Sequence, residues 1–139
     1  KPKYFVNYGT AGSLNKKISG LIEVSKFYQR DMDVRGLGFE LGQTPFENDF
    51  FIQINENGYS CGTGDSFVVT SPDLITDIVD MEAYSYAKFC NINKLNLLCF
   101  KFISDNADND AGKDWSKAFR KGAIEFSNLF KKKYEGIKF

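Results

Sequence analysis

The sequence predicts an α/β domain with a largely parallel central sheet. Three observations lead there. Short apolar runs that read as strands alternate with helical stretches along the chain. One run, residues 95–103, is apolar almost without a break, as expected of a strand covered on both faces. The C-terminal stretch carries Trp115, Ala118, Phe119, Phe126, Leu129, Phe130 and Ile137 at spacings of three and four, the period of an amphipathic helix.

Taken in order, residues 4–8 read as a buried strand, followed by a turn of small residues, Gly9-Thr10-Ala11-Gly12. Residues 18–28 are a second extended stretch, with Leu21, Ile22, Val24 and Phe27 apolar. Residues 30–57 hold Gly36, Gly38, Gly42 and Pro45 and show no period. Loops of this length inside a compact domain are uncommon and often functional. Tyr59-Ser60-Cys61 and Phe67-Val68-Val69 read as short strands around a turn at 62–65. Pro72 precedes one helical turn over 73–77, and Ile78-Val79 is a short strand. Asp80, a favoured N-cap, starts a helix over 81–91. Residues 104–113 form a polar, Asp-rich loop, and the last helix covers 114–134. Its other face carries Lys117, Arg120, Lys121, Lys131, Lys132 and Lys133. The basic residues at its end complement the helix dipole, and without an aromatic platform the face reads as solvated. No repeat, low-complexity tract or linker divides the chain, so residues 1–139 are read as one domain.

Composition narrows the function. Aromatic residues make up 16% of the 139, a density that excludes a disordered chain. Eighteen basic residues balance eighteen acidic ones, so no global field attracts a nucleic acid or an anionic membrane. No apolar run approaches the roughly 20 residues that span a bilayer, and no secretory signal opens the chain. Histidine is absent, which excludes His-based triads and His metal sites within this chain. Cys61, Cys90 and Cys99 are scattered and odd in number, which argues against a disulfide framework or a zinc site and points to a reducing compartment, the cytoplasm. No cofactor or metal is expected. Acid–base chemistry falls to carboxylates, Lys, Tyr or Cys. The chain opens on Lys1 rather than Met and enters a strand at once, so it is expected to be part of a longer protein.

In open α/β sheets, ligands bind beyond the carboxyl ends of the strands, so the residues after each strand are the candidates. Asp105 follows the most apolar strand. Two roles fit it there: a desolvated carboxyl with a raised pKa that acts as an acid, or a cap on the following loop. Glu82 lies at the start of a helix, where a carboxylate is stabilised in any case. Asp80 reads as a cap. Asp108 and Asp110 read as solvated, and residues 105–110 lack the Gly and terminal Glu of a calcium loop. The glycines at 9 and 12 permit close approach of a sugar or anion, and are equally at home in a strand-end turn. Phe67 and Met81 fit a ligand wall or ordinary core. The three cysteines have no basic neighbour that would clearly lower a thiol pKa and read as inert core.

The same tips, in this order, carry a resemblance. The runs are Asn7-Tyr8-Gly9-Thr10-Ala11-Gly12, Arg30-Asp31-Met32-Asp33, residues 38–45 (GFELGQTP), Gly64-Asp65-Ser66-Phe67, Val79-Asp80-Met81-Glu82-Ala83 and Ile103-Ser104-Asp105-Asn106-Ala107-Asp108. Across residues 4–119 the chain resembles the C-terminal two-thirds of a 5′-methylthioadenosine/S-adenosylhomocysteine nucleosidase, in the nucleoside phosphorylase superfamily. The resemblance implies a three-layer αβα fold with a mixed, largely parallel sheet, incomplete at its N-terminus. It implies hydrolysis of the N-glycosidic bond between adenine and a 5′-thio-substituted ribose, in methionine salvage. A purine nucleoside phosphorylase and a non-catalytic nucleoside-binding relative are the alternatives.

Residue by residue, Asp105 matches the family's general acid toward adenine N7, and Ser104 a residue that orients it. Glu82 matches the carboxylate on the 2′- and 3′-hydroxyls, and Met81 the residue beneath the ribose. Phe67 matches the aromatic that stacks on adenine, and Val68 the neighbour whose backbone reads the base edge. Thr10, Ala11 and Gly12 match the strand tip near the ribose and the attacking water. Trp115 falls where the family usually has a Phe lining the base and 5′-thio pocket. Val34, Leu37 and Pro45 match residues given to a neighbouring subunit's pocket, so residues 30–57 become a dimer arm and the implied assembly is a homodimer. The resemblance also marks departures. The family's first strand and water-activating Glu lie upstream of the matching region. Between 46 and 59, where the family usually inserts a helix, this chain has only Glu47-Asn48-Asp49 and residues 53–58.

Overall fold

The computed structural model describes residues 2–47 and 49–135. Lys1, Asn48 and Ile137 lie outside the described residues. Among the described residues six strands and two α-helices follow one another as β1 (Tyr4–Ser13), β2 (Leu21–Gln29), β3 (Phe51–Gln53), β4 (Tyr59–Thr63), β5 (Ile78–Asp80), α1 (Ala83–Asn93), β6 (Asn96–Asp105) and α2 (Ala111–Tyr134). The sheet is mixed, in the order β3-β2-β4-β5-β1-β6. Pairs β1–β6, β2–β4 and β4–β5 are parallel, while β1–β5, β2–β3 and β2–β6 are antiparallel. The sheet is not open as the strand-end reasoning assumed. Leu21–Val24 of β2 pair with Cys99–Phe102 of β6, which closes it on itself.

Four local expectations need correction. Residues 9–12 are not a turn but part of β1: Gly9, Thr10, Ala11 and Gly12 lie in parallel register with Lys101, Phe102, Ile103 and Asp105 of β6, with a bulge at Ala11/Gly12. Residues 67–69 are not a strand, and 73–77 hold no helical turn. After β4 the backbone is held by other means: Gly64 N–H donates to the Asp80 carbonyl at 3.1 Å, and Asp65 N–H to the Asp31 carboxylate at 2.7 Å. The aperiodic segment 30–57 contains a 3-10 turn, Arg35–Leu37, and the three-residue strand β3, too short to show a period. The helix expected over 81–91 begins two residues later, at Ala83.

The two faces of β6 are both covered, as the unbroken apolar run predicts. Leu97 and Cys99 join one core with Ala83, Ala87 and Cys90 of α1 and with Val24, Phe27, Cys61 and Ile78. Phe100 and Phe102 face α2 instead. Phe126 of α2 stacks on Tyr8 of β1, with centroids 4.5 Å apart, and packs against Phe100 at 5.7 Å. The three cysteines are free and buried. Burial pushes the Cys61 thiol well above its ordinary value and the Cys99 thiol up to about 12, so both stay protonated and inert. Among the described residues no helix is long and apolar enough to cross a membrane.

Gly122 lets α2 approach the sheet. A Cβ there would lie 2.6 Å from the Phe102 ring and 2.6 Å from the Tyr8 hydroxyl. Alanine in place of a helical glycine normally gains up to about 1 kcal/mol. Here the ring clash outweighs that gain, since overpacking costs about 1–3 kcal/mol. Gly122→Ala is therefore expected to lower the thermal midpoint, as read by circular dichroism; an unchanged or raised midpoint contradicts this packing.

Candidate active site

A cleft of about 340 Å³ opens where strand ends converge. The antiparallel β1 and β5 overlap by only two residue pairs, Gly12 with Val79 and Ser13 with Ile78. So short an overlap brings both carboxyl ends to one place, although the strands run in opposite directions. β1 lines the cleft with Thr10, Ala11 and Gly12, and β6, its parallel neighbour, adds Ser104 and Asp105. Val79, Asp80, Met81 and Glu82 come from the end of β5 and the link to α1. Ser66, Phe67 and Val68 follow β4, Arg30 follows β2, and Trp115 reaches in from α2.

Asp105 is 8% exposed. Its Oδ1 accepts the Ala107 N–H at 2.9 Å, and its Oδ2 accepts the Ser104 hydroxyl at 2.7 Å. Ala107 takes a left-handed φ of 51° in the turn that this first bond closes. Asp105 thus caps the following loop and also lines the cleft. Gly12 makes room for it, since a Cβ there would sit 2.7 Å from Oδ1.

Glu82 occupies the N-cap position of α1, yet its side chain makes no capping bond. Asp80 supplies that bond, accepting the Ala83 N–H at 2.9 Å. It is more than a cap. Its other oxygen accepts the Thr63 hydroxyl at 2.5 Å, and Thr63 Oγ1 accepts the Tyr84 N–H at 2.9 Å. Lys101, 1% exposed, brings Nζ within 2.7 Å of the Asp80 carboxylate. A Cβ at Gly9, its register partner on β1, would lie 2.8 Å from that ammonium, so glycine gives it space. Burial is the largest single influence and pulls the Lys101 pKa down, but the charge and hydrogen bond of Asp80, with smaller contributions from Cys99 and Cys61, together outweigh it and leave the net shift upward.

The segment after β4 is tied to the end of β2. Arg30 is buried, and its guanidinium donates to the Ser66 carbonyl and, at 3.4 Å, to the Ser66 hydroxyl. Its backbone N–H donates to the Thr63 carbonyl at 2.8 Å. On the opposite wall, the Trp115 indole N–H donates to the Thr10 hydroxyl at 2.9 Å, and Phe119 stacks on the indole.

The chain is 30% identical to a 5′-methylthioadenosine/S-adenosylhomocysteine nucleosidase of Staphylococcus saprophyticus, over 92% of this chain and 68% of that one. It belongs to the 5′-methylthioadenosine/S-adenosylhomocysteine nucleosidase family. Two Helicobacter pylori structures share its fold. Futalosine hydrolase matches at a TM-score of 0.87 and 22% identity, over 97% of this chain and 69% of that one. The nucleosidase matches at 0.87 and 24%, with the same coverage, and was solved with a ligand joining an aminated pyrrolopyrimidine to a thioether-bearing pyrrolidinol. No family model matches the chain.

In this family member, Thr10, Ala11, Gly12, Phe67, Val68, Met81, Glu82, Ser104, Asp105 and Trp115 all line the one cleft. Val34, Leu37 and Pro45 do not line it. They lie on the segment between β2 and β3, where Leu37 is 75% exposed. Sequence reasoning missed Arg30 and Ser66 as cleft residues, although both stand in runs that carry the resemblance. It also missed Lys101, for which a signal existed: a lone lysine inside the most apolar strand requires a buried counter-charge.

Removing one member of a buried ion pair costs about 3–5 kcal/mol, because the other charge stays behind unpaired. Lys101→Met is expected to lower the denaturant midpoint accordingly, with the Asp80→Asn, Lys101→Met double variant recovering part of the loss. A raised folded-state pKa means that the pair stabilises the fold below the ordinary lysine value near 10.4 and loses this contribution as pH rises through the folded-state value. A Lys101→Met midpoint equal to that of the unmodified protein contradicts the pairing.

Proposed function

We propose that this protein hydrolyses the N-glycosidic bond of 5′-methylthioadenosine or S-adenosylhomocysteine and releases adenine. The observation that carries the reading is the meeting of Asp105, Glu82 and Phe67, distant in sequence, around one cleft in a chain of this family. The ligand held by the Helicobacter pylori nucleosidase has the same three parts as the substrate: a purine-like base, a five-membered ring and a thioether.

Each residue type suits its task. Adenine leaves poorly as an anion and well when protonated. Asp105 carries the proton it gives to N7, while the Ser104 hydroxyl and the Ala107 N–H hold its two oxygens in place. As the bond from C1′ to N9 breaks, its electron pair goes to the base and the ribose becomes oxocarbenium-like. Glu82 accepts the sugar hydroxyls and its charge favours the cation developing on the ring. Phe67 stacks on the base, the Val68 backbone reads its edge, and Met81 packs beneath the ribose. Water adds to C1′ near Thr10, Ala11 and Gly12 and loses a proton to solvent, from which the Asp105 carboxylate regains the proton it gave to the base.

The assembly is a homodimer in which residues 30–57 act as an arm and Val34, Leu37 and Pro45 complete the partner's pocket. The apolar surface of that segment, with Leu37 and Phe46 at 75% and 96% exposure, supports the reading. The fold extends to three αβα layers, a view supported by β6 facing α1 on one side and α2 on the other. The buried free thiols fit the cytoplasm. Equal backbone likeness to futalosine hydrolase carries a second reading, with futalosine as the substrate.

The test incubates the purified protein with methylthioadenosine, S-adenosylhomocysteine and futalosine, with and without phosphate, and follows the free base. Phosphate-independent adenine release is expected. Release that requires phosphate indicates a phosphorylase, release from futalosine alone the second reading, and tight binding without release a non-catalytic relative. Asp105→Asn is expected to lower kcat about 10²–10⁴-fold, the usual worth of a general acid. Its nucleoside affinity is expected to stay within about tenfold, or about 1.4 kcal/mol. Undiminished turnover in that variant removes Asp105 from the acid role.

A further inference from the structure

Trp115 is the only tryptophan in the chain, and its indole N–H donates to Thr10 across 2.9 Å. The bond joins the first turns of α2 to the end of β1, 105 residues apart in sequence. Two packing features fix its geometry. Phe119, one turn along α2, stacks on the indole with centroids 5.6 Å apart and planes at 21°. Side chains alternate along β1, so Thr10 shares the α2-facing side with Tyr8, which itself stacks on Phe126. Threonine is β-branched, with few χ1 states, so its hydroxyl is already restricted.

A hydroxyl has one proton to give and two lone pairs to accept with. In Thr10 one lone pair is filled by the indole. Its proton goes to no protein acceptor among the described residues, although Thr10 lines the cleft. We propose that Trp115 is a positioning residue: by filling a lone pair of the Thr10 hydroxyl, it turns that hydroxyl's proton away from α2 and toward the substrate's sugar or the attacking water. A phenylalanine at 115 fills the same wall and cannot do this, having no N–H. The inference rests on the nucleosidase reading for the identity of the acceptor. The bond between the two residues does not depend on that reading.

The experiment measures kcat and KM for methylthioadenosine in the unmodified protein, Thr10→Val, Trp115→Phe, their double variant and Thr10→Ser. Each of the first two single variants is expected to lower kcat about tenfold, the scale of one hydrogen bond, with KM changed less than about threefold. The double variant is expected to fall within about twofold of Thr10→Val, since the two act through one hydroxyl. Thr10→Ser, which restores a hydroxyl, is expected to recover at least about fivefold over Thr10→Val. Additive losses, an unchanged kcat in Trp115→Phe or a pure KM effect overturns the proposal. If the unmodified protein releases no adenine, the nucleosidase reading fails first. The bond is then read through the indole N–H proton resonance of the single tryptophan: a shift in Thr10→Val that Thr10→Ser reverses upholds the Trp115–Thr10 coupling, and an unshifted resonance overturns it.

Discussion

A lysine ammonium inside a sheet remains charged only against a counter-charge, and Lys101 has Asp80. Such pairs are seldom net stabilisers, because desolvation consumes most of the Coulomb gain. What the pair provides is placement. Lys101 belongs to β6 and Asp80 ends β5, with β1 between them and its Gly9 leaving the space. Asp80 also holds the first N–H of α1 and, through Thr63, the second. Met81 and Glu82 are therefore fixed between two anchored points, and Glu82 is free of capping duty and available to a ligand.

The same economy of small residues recurs on the other wall. Gly12 admits the Asp105 carboxyl, and Gly122 admits the Tyr8 and Phe102 rings beneath α2. Close approach of α2 is what brings Trp115 within bonding distance of Thr10. The aromatic stack along that helix and the polar contacts in the cleft are thus parts of one packing arrangement.

Much of this was legible in the chain. Alternating strands and helices gave the α/β class, and the run at 95–103 marked a strand buried on both faces. Asp105 stood out as a carboxylate at the end of an apolar strand, and Glu82 as one just beyond a strand at the start of a helix. β3 was not legible, since three residues cannot display a period of two. Residues 9–12 misled because glycine is as common where two chains must come close as where one must turn. Arg30 and Ser66 stood in runs that carry the resemblance, but no role could be read for them there, because what they do rests on a contact 36 residues apart.

The sequence alone determined the local elements, the chemistry on offer without histidine, and the family, because these depend on residue types and their order. Only the tertiary structure decided that the sheet closes through β2 and β6, that oppositely directed strands end at one cleft, and that Lys101 finds Asp80. Those facts depend on register and on which strands become neighbours. They are set by packing between segments far apart in the chain, which no local pattern encodes.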